Sequence, residues 1–220
     1  MPSALRRLTE LELRNALRER LRTSLTEDAQ IIEELGIERG SARIDLAIVN
    51  GALIGYEIKS DFDSLDRLAN QMHAYHRVFD ELSIVTTPQF VPQVEQLLPF
   101  WWGVLQAVCD GAGVVCLEVV RAPSANPRQE ALSLLGLLWR DEAVALLDQH
   151  SATKAKSKLT RTMLYEQLAG LADLSTVRDW VSHALRHRGE WRTNALVKSA
   201  SLAGELSAPD GDWPRLAAKS

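Results

Sequence analysis

The feature that most constrains this chain is Asn50-Gly51, set between two apolar runs at residues 42–49 (ARIDLAIV) and 53–60 (LIGYEIKS). Asn-Gly tolerates the positive φ that tight hairpin turns demand. The runs alternate in polarity, so they predict two antiparallel strands. A two-residue turn would pair Val49 with Ala52, setting Ile44 opposite Glu57 and Leu46 opposite Gly55. A three-residue loop, Asn50-Gly51-Ala52, pairs Val49 with Leu53, Ile48 with Ile54, Leu46 with Tyr56 and Ile44 with Ile58. The second register matches apolar with apolar throughout and is the one predicted. It sets Asp45 opposite Glu57 with side chains on one face, and Lys59, two residues beyond Glu57, shares that face.

Charge inside apolar strands is costly unless it serves a purpose. Two carboxylates one strand apart repel unless a positive group sits between them. A hard cation such as Mg²⁺ suits the pair, since it takes one or two carboxylates and keeps several waters. Such an ion activates water and stabilises charge on a phosphate. Lys59 beside it is placed to orient the nucleophile or steady the transition-state oxyanion. The plainer reading of the three residues is a solvated hairpin face.

Elsewhere, residues 5–22 read as an amphipathic helix, with Leu5, Leu8, Leu13, Leu17 and Leu21 on one stripe and Arg14, Arg18 and Arg22 on another. Residues 29–37 favour a strand, 64–79 a helix capped by Asp63 or Ser64, 82–87 a buried strand and 89–98 a helix. Strand-like runs follow near 103–109 and 113–120. The core order is therefore α-β-β-β-α-β, an α/β fold. Ala122 to Pro127 reads as a linker, followed by Leu-rich helices near 129–148, 158–171 and 174–187. The expected division is a core domain over 1–122, a helical extension over 123–190 and a weakly ordered tail over 191–220.

Residues 1–150 carry 14 Lys/Arg against 22 Asp/Glu, whereas residues 151–200 carry 9 against 4. The acidic body argues mildly against tight non-specific nucleic-acid binding, and the basic segment keeps such binding open. No apolar run is long enough to span a bilayer, and the N-terminus lacks the apolar stretch of a signal peptide, so a cytoplasmic protein is expected. Cys109 and Cys116 sit in apolar surroundings and are expected to be buried free thiols.

Arg43-Ile-Asp45, Glu57-Ile-Lys59 and a following helix containing Gln71 together resemble the PD-(D/E)XK nuclease superfamily, most closely uncharacterised bacterial members with an R-x-D…Y-E-I-K-S-D signature. The resemblance covers about residues 10–120. It implies a restriction-endonuclease-like core with a mixed sheet, followed here by the helical extension. It implies a metal-dependent nuclease that hydrolyses phosphodiester bonds, in DNA by preference, with Mg²⁺ or Mn²⁺ as cofactor. Asp45, Glu57, Lys59 and Gln71 would be catalytic, and Asp45, Glu57 and Glu34 would hold the metal. Glu33 is the alternative to Glu34, because in a strand the two point to opposite faces. No Pro precedes Asp45, where Ile44 stands, and many members of the superfamily also lack it. A homodimer is an allowed assembly, and a non-catalytic module that binds nucleic acid or protein is the competing function.

Several other residues carry two readings. Tyr75 is expected in the core, and Arg67 in a salt bridge with Asp63 four residues earlier. Asp61 and Asp63 would hold the loop and cap the helix. His73 and His76 are expected at the surface. His183 and His187 have i, i+4 spacing that suits a metal on a helix but lack a third ligand. Lys154, Lys156, Lys158, Arg161 and the segment 186–192 form a basic patch, in which Trp180 and Trp191 either stack on bases or pack inside a bundle. Trp101-Trp102 reads as core.

Overall fold

The structure is a computed structural model that describes residues 6–26, 28–151 and 158–201, with side chains through Arg188. A six-stranded mixed sheet runs in chain order: β1 (Gln30–Ile37), β2 (Ala42–Val49), β3 (Leu53–Lys59), β4 (Glu81–Thr86), β5 (Gly103–Cys109) and β6 (Val115–Arg121). The first two pairings and the last are antiparallel, while β3–β4 and β4–β5 are parallel. The fold is therefore α/β with the expected α-β-β-β-α-β core and helices following it.

Helix α1 (Glu10–Arg22) precedes the sheet. It begins later than its leucine pattern suggests, because Thr9 caps it: Thr9 Oγ1 accepts from the Glu12 N–H, and the Glu12 carboxylate accepts from the Thr9 N–H at 2.9 Å. Leu13, Leu17 and Leu21 bury their stripe against Leu46, Ile48, Ile58 and Val85 on one sheet face. Leu5 lies outside the described residues. Of the arginine stripe, Arg14 is buried while Arg18 and Arg22 are exposed.

Helix α2 (Leu68–His76) and α3 (Val91–Leu97) cover the other face, where Tyr75, Phe79 and Trp102 pack against Val49, Leu53 and Ile84. The α2 start corrects the predicted cap. Asp63 turns back to Ser60, so the helix begins at Leu68 with Arg67 at its N-cap and no capping side chain. Gly55 is required where α2 ends, since a Cβ there would stand 2.8 Å from Leu82 Cδ2 and 3.0 Å from the Phe79 ring.

The Leu-rich segment forms α4 (Ala131–Leu135), α5 (Arg140–His150), α6 (Arg161–Leu171) and α7 (Leu174–Ser201). The first predicted helix breaks in two around Gly136, and α5 restarts where the Glu142 carboxylate accepts the Trp139 N–H at 2.6 Å. Helix α7 continues past Trp191 to Ser201. Leu134, Leu146, Leu168 and Val181 share one continuous core with the α2 face of the sheet. Arg178 of α7 pairs with Asp80 at 2.7 Å, tying the extension to the β3–β4 connection. Among the described residues, no helix is long and apolar enough to cross a membrane.

Both cysteines are exposed, against expectation. Cys109 ends β5 beside the 110–114 turn, and Cys116 lies on the outward side of edge strand β6.

Candidate active site

The three-residue loop forms as predicted. Asn50 N–H donates to the Ala52 carbonyl at 3.2 Å, and Gly51 takes φ +98°. The β2–β3 register is the apolar one: Val49 with Leu53, Ile48 with Ile54, Leu46 with Tyr56. Pairing then stops just short of Asp45. Continued by two residues, the ladder would join the Ile58 N–H to the Ile44 carbonyl. Instead Ile58 N–H donates to Asp45 Oδ2 at 2.7 Å. The strand phase breaks at the same point. Leu46 and Ile48 face α1, yet Ile44 packs with Ala47 and Val49 on the opposite face. Across β1, Glu33 pairs with Leu46 and Leu35 with Ile44, which leaves Glu34 and Asp45 unpaired, and Glu34 has φ +54°. Both departures open the sheet beside its acidic residues.

The opening is a cleft of about 500 Å³. Its wall includes Glu10, Glu34, Asp45, Glu57, Lys59 and Gln71, so every predicted site residue comes to one place. Glu57 and Lys59 are almost fully buried, and Lys59 Nζ donates to Glu57 Oε1 at 2.6 Å. Tyr75 is in the core as predicted and also belongs to the site. Its hydroxyl lies 2.9 Å from Glu57 Oε2 and 2.5 Å from the Arg43 carbonyl oxygen, while Gln71 Nε2 donates to it at 3.1 Å. Burial and the Glu57 charge push the Tyr75 phenol far above its ordinary range, which keeps it a hydrogen-bond donor. The other Gln71 amide atom, Oε1, is buried without a partner.

Burial and the neighbouring Glu57 charge push the Asp45 carboxyl well above the usual carboxylate range, against the opposing pull of the Ile58 N–H, Lys59 and Arg14. The cleft lining carries the acids Glu10, Glu34, Glu38, Asp45, Glu57 and Asp63 against the cations Arg43, Lys59 and Arg67. Carboxylate atoms of Glu10, Glu34 and Asp45 lie within 4.8 Å of one another. The three offer oxygen donors alone, the kind that a hard divalent cation takes, and Arg14 lies among them. Glu57 stands outside that threesome, held by Lys59 and Tyr75.

Glu10 and Arg14 escaped the sequence reading. Arg14 Nη2 donates to Glu10 Oε1 at 2.6 Å and Glu34 Oε1 at 3.0 Å, and its Nη1 donates to the Asp45 carbonyl at 3.0 Å. The i, i+4 spacing of Glu10 and Arg14 was a visible signal, but their approach to Asp45 needed the tertiary packing of α1. Glu33 pairs with Arg18 instead, and of the two adjacent glutamates only Glu34 lines the cleft. Arg43 pairs with Glu34 at 2.7 Å.

The remaining candidates fall elsewhere. Asp61 and Asp63 hold the loop after β3: Asp61 Oδ2 accepts the Leu8 N–H at 2.6 Å, and Asp63 Oδ2 accepts the Ser60 N–H and hydroxyl. The expected Asp63–Arg67 bridge does not form. His76 is buried rather than exposed, because Trp102 Nε1 donates to its Nε2 at 2.9 Å. Trp101 and Trp102 are core. The His183 and His187 rings lie 4.0 Å apart, and they join no group of three possible metal ligands among the described residues. In the basic segment, Arg188 is paired with Glu142 and stacked on Trp139, and Trp180 is buried against His150. Lys154 and Lys156, and the side chains of Trp191 and Arg192, lie outside the described residues.

A family profile described as Bacteriophage P4 protein cII matches residues 3–208. Protein cII of Enterobacteria phage P4 is 32% identical over 204 residues, covering 92% of this chain and 76% of that protein. No solved structure matches.

Proposed function

The chain belongs to the bacteriophage P4 protein cII family, and we propose, on the geometry of its cleft, that this is the active site of a metal-dependent phosphodiesterase acting on nucleic acid, with DNA as the preferred substrate. The observation that carries this reading is the convergence of Asp45, Glu57 and Lys59 where β2 and β3 part. Asp45 and Glu34 would hold Mg²⁺ or Mn²⁺ together with Glu10, and Glu57, whose charge reaches Asp45, would complete the set from its place beside Lys59. When bound, such an ion supplies a Lewis acid for the phosphoryl oxygen and lowers the pKa of water.

The chain's own residues prepare the rest. Lys59, fixed by Glu57, presents an ammonium to the attacking water and to charge developing on the phosphate. Gln71 carries a free buried amide oxygen at the cleft, suited to orienting a water. Tyr75 holds Glu57 from behind. Arg14 screens the acids of α1, β1 and β2 from one another.

The test is a cleavage panel of single-stranded DNA, duplex DNA and RNA with Mg²⁺, Mn²⁺ or EDTA. We expect metal-dependent cutting that Asp45→Ala abolishes and Lys59→Ala lowers by about 10²–10³-fold. A wild-type protein that cuts none of these forms overturns the reading.

One observation favours a second reading, a non-catalytic module that binds nucleic acid or protein. The Arg14 guanidinium already lies among Glu10, Glu34 and Asp45 and neutralises them in part. Calorimetric titration with Mg²⁺ and Mn²⁺ separates the two, since a module of that kind has no need of the ion.

A further inference from the structure

The cations around the cleft are not equivalent. Lys59 is held by Glu57, Arg14 by Glu10 and Glu34, and Arg43 by Glu34. Arg67 lines the same cleft, is exposed, and has no hydrogen-bond or ion-pair partner for its side chain among the described residues. The acids near it in sequence are engaged elsewhere: Asp61 with the Leu8 N–H, Asp63 with Ser60, Asp66 with the Ser64 hydroxyl at 3.0 Å. Asn70, one turn further on in α2, also lines the cleft and is exposed. The first turn of α2 holds no acid and no capping side chain. The cleft thus has an acidic end at the parted strands and, where α2 begins, an unpaired guanidinium and an amide, with the Asp63 carboxylate of the same lining engaged by Ser60.

We propose that Arg67 and Asn70 form a subsite for a non-scissile phosphate of a bound polynucleotide strand. The inference rests on the phosphodiesterase reading of the cleft, because it takes the acidic end as the place of the scissile phosphate. An unpaired guanidinium gives two parallel donors to a phosphate, and the Asn70 amide adds a neutral one. Contacts of this kind set where a strand lies and do not read its sequence. Arg67 therefore acts on binding, while Asp45 and Lys59 act on the bond that breaks.

The experiment measures binding apart from cleavage. Fluorescently labelled single-stranded DNA, duplex DNA and RNA of one sequence are titrated with the full chain in EDTA and in Ca²⁺, and anisotropy is followed from 50 to 200 mM KCl. Arg67→Ala is expected to weaken binding by about tenfold. It should also lower the slope of log Kd against log salt by about one. Arg67→Lys should restore the slope, and Asn70→Ala should weaken binding without changing it. In single-turnover cleavage, Arg67→Ala should raise the strand concentration needed for half-maximal rate by a similar factor.

A wild type that binds but does not cut, with Arg67→Ala weaker in Kd and slope, supports the subsite while the phosphodiesterase reading falls. Cutting by the wild type with unchanged Kd and slope for Arg67→Ala overturns the subsite alone. A wild type that binds none of the three probes in either condition overturns it too. Circular dichroism of each variant checks the fold, which an exposed residue before α2 should leave intact.

Discussion

The Asp45 carboxylate accepts the Ile58 N–H at 2.7 Å, in the place the Ile44 carbonyl would occupy in an unbroken ladder. One side chain therefore does two things: it ends the β2–β3 pairing and faces the cleft that the ending creates. The main-chain donor stays satisfied, which is what allows the sheet to open at this point without a large penalty.

Asp45→Asn should separate those roles. The amide oxygen still accepts from Ile58, so the fold should persist. The negative charge that Glu57 opposes is gone, and the metal-free protein should gain stability. We expect Tm to rise by about 2–4 °C, the shift for roughly 1 kcal/mol in a chain of this size. Metal-dependent cleavage should disappear in the same variant. Cleavage at the wild-type rate would remove Asp45 from the site.

Tyr75→Phe removes the hydroxyl that meets Glu57 Oε2 and the Arg43 carbonyl oxygen. The ring still fills its place beside Phe79, with which it makes an edge-to-face contact at 6.2 Å. Stability should fall by about 1–2 kcal/mol for the lost hydrogen bonding. Metal affinity should drop by about 10–100-fold, the cost of loosening a ligand's supporting partner. Unchanged affinity in calorimetry would leave Tyr75 as core packing alone.

Gly55→Ala is expected to destabilise the protein by about 1–3 kcal/mol. The new methyl meets Leu82 and the Phe79 ring, both fully buried and unable to retreat. Urea denaturation measures it. Ala at Gly111, where a Cβ meets nothing within 4 Å, serves as the control.

His76 gives a pH prediction. Burial, then the charges of Arg128 and His73, lower its pKa from 6.5 to about 4. The folded state thus holds the ring neutral, as an acceptor for Trp102. A depressed folded pKa contributes stability that is present above the unfolded value and lost as pH falls. Stability should therefore decline between pH 6.5 and about 4, because the unfolded chain takes up the proton first. His76→Gln, which keeps an acceptor without titrating, should flatten that part of a Tm-against-pH curve. An equal decline in both proteins would place its origin elsewhere.

Local chemistry in the chain determined the hairpin, its three-residue loop and the pairing of Leu46 with Tyr56, because a one-residue slip would have set apolar side chains against polar ones. The same alternation set Glu57 and Lys59 on one face. The tertiary structure decided what periodicity cannot express. Asp45 leaves the strand phase, Glu34 takes a positive φ, and Arg14 turns inward from a helix whose other arginines stay exposed. These are responses to charges brought together from α1, β1 and β2 across 35 residues of chain, and no window of local sequence contains them all. Tyr75 shows the limit most directly. Its helical spacing marked it as core, and only the docking of α2 on β3 made its hydroxyl the support of Glu57.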